Sequence, residues 1–375
     1  MNILVVGHTC SSEFIFKILS GKNKVYLDNT FNMESLIDKK IDMCITTNIN
    51  AQSDIEIQSL HKTNIPILLP SIEMSVLEKS KVYTKLLFTK LNIPTQKYLI
   101  CDLNTDFSKI PKPFVIKADE FLWGLQTTVV TDSNFENIQK FIQSQIVKNK
   151  QILVEEFVKI KREYSFHALC NEKSWTYIGS ARDYKKRYDN DIGFNTIGMG
   201  SYSIIDDVDT NLIGKYIDIL LAYLKNYIGF LYLGVIITED GELLISEINT
   251  RPGDPEIQSI LPTIDNDLVD LLYKTITNEN LPKVDFNNKN AVTIRLVQKN
   301  YSFSEKNIKP AIFNNVPQDI NICHMSKCFP NNIITYATLT AVKNTRKEAS
   351  DYLYDYLKTV DMGDYVVRND IGYLN

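Results

Sequence analysis

Residues 246–256 read SEINTRPGDPE and set Glu247, Asn249 and Arg251 at alternate positions of a strand. Alternate residues leave a strand on one face, so a carboxylate, an amide oxygen and a guanidinium point the same way. Carboxylate and amide oxygens suit a hard cation such as magnesium, which binds oxygen and shares its coordination with phosphates. The guanidinium suits a phosphate or a carboxylate. The same residues also fit a hairpin edge with solvated polar side chains.

Two further stretches carry chemistry. Residues 183–203, DYKKRYDNDIGFNTIGMGSYS, hold three glycines, no long apolar run and many donors. That is the composition of a loop that wraps a ligand, and equally of a plain surface loop. Lys81, Lys117 and the strand ILVEEF at 152–157 form the third group. Lys117, ending the buried strand within PFVIKAD, also fits the rim of a sheet, and ILVEEF also fits an edge strand whose backbone receives an adenine ring. Cys323, His324 and Cys328 are spaced as CHMSKC, which matches no common zinc pattern, so no metal role is expected of them.

The elements that must position these residues follow from periodicity. Buried-strand runs at 3–7, 24–29, 42–47 and 65–70, with a helix over 11–21 closed by Gly21, predict a small parallel, Rossmann-like unit. A helix is predicted over 75–91, stopped by Pro94. Strands follow at 114–119, 127–132, 152–157 and 163–169, with a helix at 134–147. Residues 227–240 and 241–251 read as two strands meeting at the Asp240–Gly241 turn, and the tail as strands at 291–297 and 333–342 with a helix at 345–360.

A chain of 375 residues, 44% hydrophobic and 23% charged, holds several globular modules. The net charge of −4 spreads over both halves without a basic block, so no nucleic-acid partner is expected. No stretch approaches the ~18 apolar residues of a membrane span. The start MNILVVG lacks the charged lead-in of a secretory signal. Six scattered cysteines then read as free thiols in a reducing cytoplasm. Monomer or dimer is the expected assembly.

Taken in order, these segments resemble the ATP-grasp family and, within it, the phosphoribosylamine–glycine ligases. LEKSKVYTKLLFTKLNIPT at 77–95 is similar to that family's GSK helix, PKPFVIKAD to its PIVVKAD strand and ILVEEF to its VVIEEF hinge. Residues 183–203 are similar to its DHKR…NTGGMGAYS loop, and residues 229–262 to its GxLYAG…EFNxRFGDPE strands. The closing helix and VVRNDIGYL match its tail, so the likeness runs from about residue 75 onward.

The resemblance implies an α/β ATP-grasp fold with an N-terminal Rossmann-like domain (1–77). A main domain (78–110 and 176–285), a lid (111–175) and a small C-terminal α+β domain (286–375) follow. It implies Lys81 and Lys117 on the ATP phosphates, Glu155, Glu156 and Phe157 at the adenine, and Glu163 on the ribose. Glu247 and Asn249 would hold Mg2+ (or Mn2+). Asp183, Lys185, Asn195, Thr196, Gly198 and Met199 would shape the acceptor pocket, Arg251 and Asp254 its charged floor, with Arg251 and Lys117 catalytic. The implied reaction joins a small-molecule carboxylate to an amine through an acyl phosphate.

Two family loops differ here. The G-G-R-E-H loop reads GHTCSSEF at 7–14, and the G-P-E loop reads TTNINAQ at 46–52. His8, Thr9, Ser11 and Ser12 remain as donors at a helix start, without the arginine. The lid's A-D-G-L-A-A-G-K-G-V reads ADEFLWGLQTTV at 118–129. Glycine, or a similar amino acid, joined to a nucleotide-like or specialised amine is therefore the expected reaction. The alternatives are an orthodox phosphoribosylamine–glycine ligase and a non-catalytic ATP-binding protein.

Overall fold

The structure, a computed structural model, describes every residue except 8, 29–35, 37, 48–62, 119–126, 150, 205–207, 302–307, 326–334 and 374–375. The elements below belong to the described residues. Strand β1 (Asn2–Val6) is buried along ILVV and leads to α1 (Cys10–Leu19), whose N-cap Thr9 forms a capping box with Ser12. With β2 (Lys24–Asp28), β3 (Met43–Thr46) and β4 (Ile67–Leu68), β1 makes a parallel sheet ordered β2-β1-β3-β4. Phe14, Ile15 and Leu19 of α1 pack on Ile3 and Val5. Here the alternation of strand and helix in the sequence has its expected result.

The single helix expected over 75–91 is two, α2 (Val76–Lys79) and α3 (Lys81–Lys90). Ser80 between them is extended (φ −114°, ψ 104°), and its hydroxyl accepts from Tyr83 N to cap α3. Nor does Pro94 stop α3. Asn92 turns left-handed (φ 53°), Asn92 N bonds Thr89 O, and Ile93 N bonds Phe88 O while its side chain is buried. That is a Schellman ending with asparagine in the glycine position.

A small antiparallel sheet follows, of order β5-β8-β6-β7: β5 (Tyr98–Cys101), β6 (Phe114–Lys117), β7 (Thr127–Val130) and β8 (Ile152–Glu156). Helix α4 (Phe135–Asn149) lays Ile142 and Ile146 against its Ile116 and Val154. The altered lid residues 119–126 fall outside the described residues.

The large sheet has nine strands among the described residues: β9 (Ile160–Cys170), β10 (Trp175–Asp183), β13 (Gly200–Ile204), β14 (Gly229–Thr238), β15 (Leu243–Asn249), β16 (Asn290–Gln298), β17 (Asn321–His324), β18 (Thr335–Lys343) and β19 (Tyr365–Val366). Its order is β15-β14-β9-β10-β13-β16-β18-β17, with β19 on β16. The separate pair β11 (Lys186–Tyr188) and β12 (Ile192–Asn195) lies between β10 and β13. Residues 183–203, expected as one loop, thus hold a hairpin and a sheet strand. Helices α5 (Thr210–Leu224), α6 (Glu256–Ile260), α7 (Leu268–Ile276) and α8 (Arg346–Leu357) complete the elements.

The sheets divide the chain differently from the boundaries drawn on sequence. Strand β9, inside the expected 111–175 lid, pairs with β10 and β14 in the large sheet, whereas β5, outside it, pairs in the small one. Strand β16 of the expected 286–375 domain continues the large sheet from β13. No helix among the described residues is long and apolar enough to cross a membrane.

Candidate functional site

One face of the large sheet gathers the polar residues. Registers run His167–Tyr232–Asn249 and Ala181–Ser165–Gly234–Glu247 across adjacent strands. Glu163 lies two residues before Ser165, and Asp183 two after Ala181, so both share this face. The opposite face sends Tyr164, Phe166, Leu231, Leu233 and Val235 into the core. A bulge between Gly234 and Val235 pairs Ile245 with Val235 and Glu247 with Gly234. The extra residue turns Ile245 into the core and Glu247 out to the polar face.

Helix α3 and the small sheet bring cations to this face. Lys81 and Lys85, one turn apart on α3, go to different carboxylates. Lys81 Nζ lies 3.1 Å from Glu247 Oε2. Lys85 Nζ lies 2.8 Å from Glu155 Oε1 and donates to Gln96 Oε1 at 2.8 Å and to Thr95. Lys117 reaches the other oxygen, Glu155 Oε2, at 2.8 Å. Lys81 and Lys117, expected together on the ATP phosphates, line one cleft, and Lys85 joins Lys117 on Glu155 there. Sequence reasoning passed over Lys85, although its four-residue spacing from Lys81 was the available signal. A cleft is lined by Lys81, Lys85, Lys117, Glu155, Ser246 and Glu247.

Electrostatics follow from this packing. Burial would raise the Glu155 carboxyl, but Lys117 and then Lys85 hold it below its ordinary range. Burial, reinforced by Lys117 and opposed by Glu155, brings Lys85 down to about 8. For Glu247, burial is outweighed by Lys81, Lys185 and Lys117, so it stays ionised. Lys185 donates to Glu163 Oε1 at 2.6 Å; Glu163, Tyr232, Glu247 and Asp183 overcome burial and hold its ammonium charged. Glu156 accepts from Lys97 N at 2.9 Å, and Phe157 is exposed beside it.

The third wall comes from residues 183–199 and 250–256. Thr196 donates through N and Oγ1 to Lys185 O, at 2.7 and 2.9 Å. Asn195 Nδ2 donates to Thr127 O of β7, linking this wall to the small sheet. Gly198 has φ +102°, and a Cβ there would lie 2.6 Å from Asp183 Oδ1. Met199 is the exception: its side chain is buried with Tyr184, Tyr202 and Ile294, which makes it core. Arg251 Nε donates to Glu78 Oε1 at 2.9 Å, and Glu78 Oε2 accepts from Thr250 N at 3.2 Å. Asp254 pairs with Arg295 and accepts from Gln258 Nε2 at 3.2 Å. Burial raises Asp183, with Glu256 adding to it, and raises Glu256 as well. Glu78, Glu256 and Arg295 had no part in the sequence reading.

The β1–α1 turn closes the site from the N-terminal side. Ser11 N donates to Asp254 Oδ2 at 3.4 Å, and Ser12 Oγ lies 2.6 Å from Thr47 Oγ1. Thr9 and Ser12 serve each other in the capping box. His8 and residues 48–52 fall outside the described residues, as does Cys328. Cys323 is buried, His324 packs against Phe313 and Tyr336, and no cluster of three potential metal-ligating side chains occurs among the described residues.

A family model described as Phosphoribosylglycinamide synthetase, ATP-grasp (A) domain, matches residues 79–257. The chain is 30% identical over 337 residues to the phosphoribosylamine–glycine ligase of Leptospira interrogans serogroup Icterohaemorrhagiae serovar Lai, covering 83% of this chain and 78% of that one. A solved phosphoribosylamine–glycine ligase from Thermotoga maritima superposes with a TM-score of 0.81 at 22% identity, covering 99% of this chain and all of that one. The N5-carboxyaminoimidazole synthetase of Staphylococcus aureus, solved with ADP, superposes with a TM-score of 0.67 at 15% identity over 95% of this chain and 96% of that one. These superpositions show a shared fold.

Proposed function

The chain belongs to the phosphoribosylamine–glycine ligase family of ATP-grasp enzymes, and on that premise we propose that it joins glycine to phosphoribosylamine at the expense of ATP. The names of its relatives favour this partner over the altered amine expected from residues 7–14 and 46–52. One observation carries the reading to the site. Asp183 Oδ1 is buried and has no hydrogen-bond partner among the described residues, on the sheet face that also presents Glu247. A buried carboxyl with an unused oxygen is what an incoming amine would satisfy.

The roles then follow from charge. Lys81, Lys85 and Lys117, which line one cleft, offset the charge of the ATP phosphates in this reading, and Glu155 holds Lys85 and Lys117. Glu247 and Asn249 offer one carboxylate and one amide oxygen on one face. That set suits Mg2+ or Mn2+, which completes its coordination with phosphates and water. The cation, when bound, neutralises charge on the transferring phosphoryl group. Lys81 steadies Glu247, and Arg251, braced by Glu78, receives the glycine carboxylate.

Glycine's carboxylate oxygen takes the γ-phosphoryl group and ADP leaves. The amine nitrogen attacks the carbonyl carbon of the acyl phosphate, the C–N bond forms, and inorganic phosphate departs. The nitrogen's proton passes to Asp183, whose Oδ1 is without a hydrogen-bond partner among the described residues.

A second reading, an amine without a sugar phosphate, is favoured by the β1–α1 turn. There Thr9, Ser12 and Thr47 spend their hydroxyls on one another, and Asp254 accepts from Ser11 N. ADP release is the test. It should require glycine and phosphoribosylamine together. Release with glycine and another amine, but not with phosphoribosylamine, selects the second reading. ATP binding without ADP from any pair makes the chain a nucleotide-binding protein.

A further inference from the structure

Arg295 reaches the site from β16, far along the chain. Its side chain is 2% exposed. Nη1 donates to Ile197 O at 3.0 Å and Gly198 O at 3.2 Å, and Nη2 pairs with the Asp254 carboxylate. Its backbone N donates to Met199 O at 3.0 Å. Asp254 in turn accepts from Ser11 N at the start of α1 and from Gln258 Nε2 on α6. Against the effect of burial, Asp254, Cys10, Asp183 and Tyr301 hold the guanidinium charged.

We propose that Arg295 is a positioning residue for the amine side of the site, fastening the 197–198 turn to Asp254 so that Gly198 holds Asp183 in place. A planar fork joins two carbonyls and a carboxylate at fixed angles, which a lysine ammonium cannot do. A buried ion pair contributes little net stability compared with apolar packing, so the specific contribution of this one is geometry. Gly198 is the transmitting point. It lies so close to Asp183 Oδ1 that a shift of the 197–198 carbonyls moves the wall against that carboxyl.

This inference rests on reading residues 183–198 and 254 as the amine side, and its experiment separates the two. The full chain carrying R295K, R295M or D254N is compared with the parent by amide hydrogen exchange and by ADP release. In each variant the amides of Thr196, Gly198 and Met199 should exchange at least about tenfold faster, while those of α3 and β8 keep their rates. The KM for the amine should rise about tenfold, the KM for ATP should stay within about twofold, and R295K should give no rescue. Unchanged exchange at 196–199, uniform acceleration along the chain, or loss of the fold in every variant overturns the proposal. If the parent chain does not turn over, the functional reading fails, and the exchange measurement still decides the role of Arg295.

Discussion

Gly234 on β14 and Glu247 on β15 share one volume: a Cβ at 234 would stand 3.0 Å from Glu247 Cγ and 2.5 Å from Ser246 Oγ. The absent side chain is the space across which the Glu247 carboxylate reaches Lys81. G234A should therefore displace the carboxylate while leaving the strand paired. The expected result is a metal requirement raised about tenfold with the fold retained, read by titrating Mg2+ against ADP release and by circular dichroism. E247Q should lower turnover about a hundredfold at saturating metal. Wild-type metal dependence in both variants would remove Glu247 from the cation site.

Lys85 gives the site a pH signature. Its ammonium is brought down from 10.5 to about 8, by burial first and then by Lys117. The folded chain thus releases this proton at about 8, whereas the unfolded chain keeps it until about 10.5. Between those values the unfolded state binds more protons, so this group makes stability rise with pH. Over the same window the phosphates lose a positive partner, and kcat/KM for ATP should fall above pH 8. K85M should abolish the stability rise and give a low, flat kcat/KM across pH 7–9. A falling profile retained in K85M would assign the titration to another group.

How much of this was legible depends on how local the signal was. The strands of the parallel sheet and of the β14–β15 hairpin announce themselves by buried runs and a turn, and Glu247 and Asn249 follow from alternation alone. Strand β13 did not, because its glycine-rich composition reads as loop. What makes it a strand is the pairing with β16, close enough that a Cβ at Gly200 would stand 2.5 Å from Thr293 O. Strand β5 was silent for a related reason: Leu99 and Ile100 stay exposed, and only pairing with β8 defines it. Glu78 and Arg251 lie 173 residues apart, and Arg295 and Asp254 lie 41 apart. No local periodicity encodes such partners. The bulge beside Gly234 was equally hidden, since it is a property of two strands and not of either sequence.

Gly198 tests the acceptor wall without touching a charge. At φ +102° an L side chain is strained, and its Cβ would also meet Asp183 Oδ1 at 2.6 Å and Pro255 Cδ at 2.8 Å. G198A should lose about 1–3 kcal/mol of stability by chemical denaturation. Because the clash falls on Asp183, the KM for the amine should rise more than the KM for ATP. Equal changes in both constants would place Gly198 outside the amine pocket.

Glu78 offers a way to tell the proposed glycine site from the proposed ATP site. Its carboxylate holds Arg251 Nε at 2.9 Å and Thr250 N at 3.2 Å, both partly shielded from water. E78Q keeps the shape but removes the charge that, with Glu256 and Asp254, holds the buried guanidinium charged. A charge-assisted hydrogen bond is about twice as strong as a neutral one, so Arg251 should lose orientation but not its place. The expected outcome is a KM for glycine raised about tenfold, with ATP binding by calorimetry unchanged. R251K should behave in the same direction and more severely, because a lysine presents no fork to a carboxylate. A glycine KM unmoved in both variants would mean that Arg251 braces the 250–256 turn and does not hold the substrate.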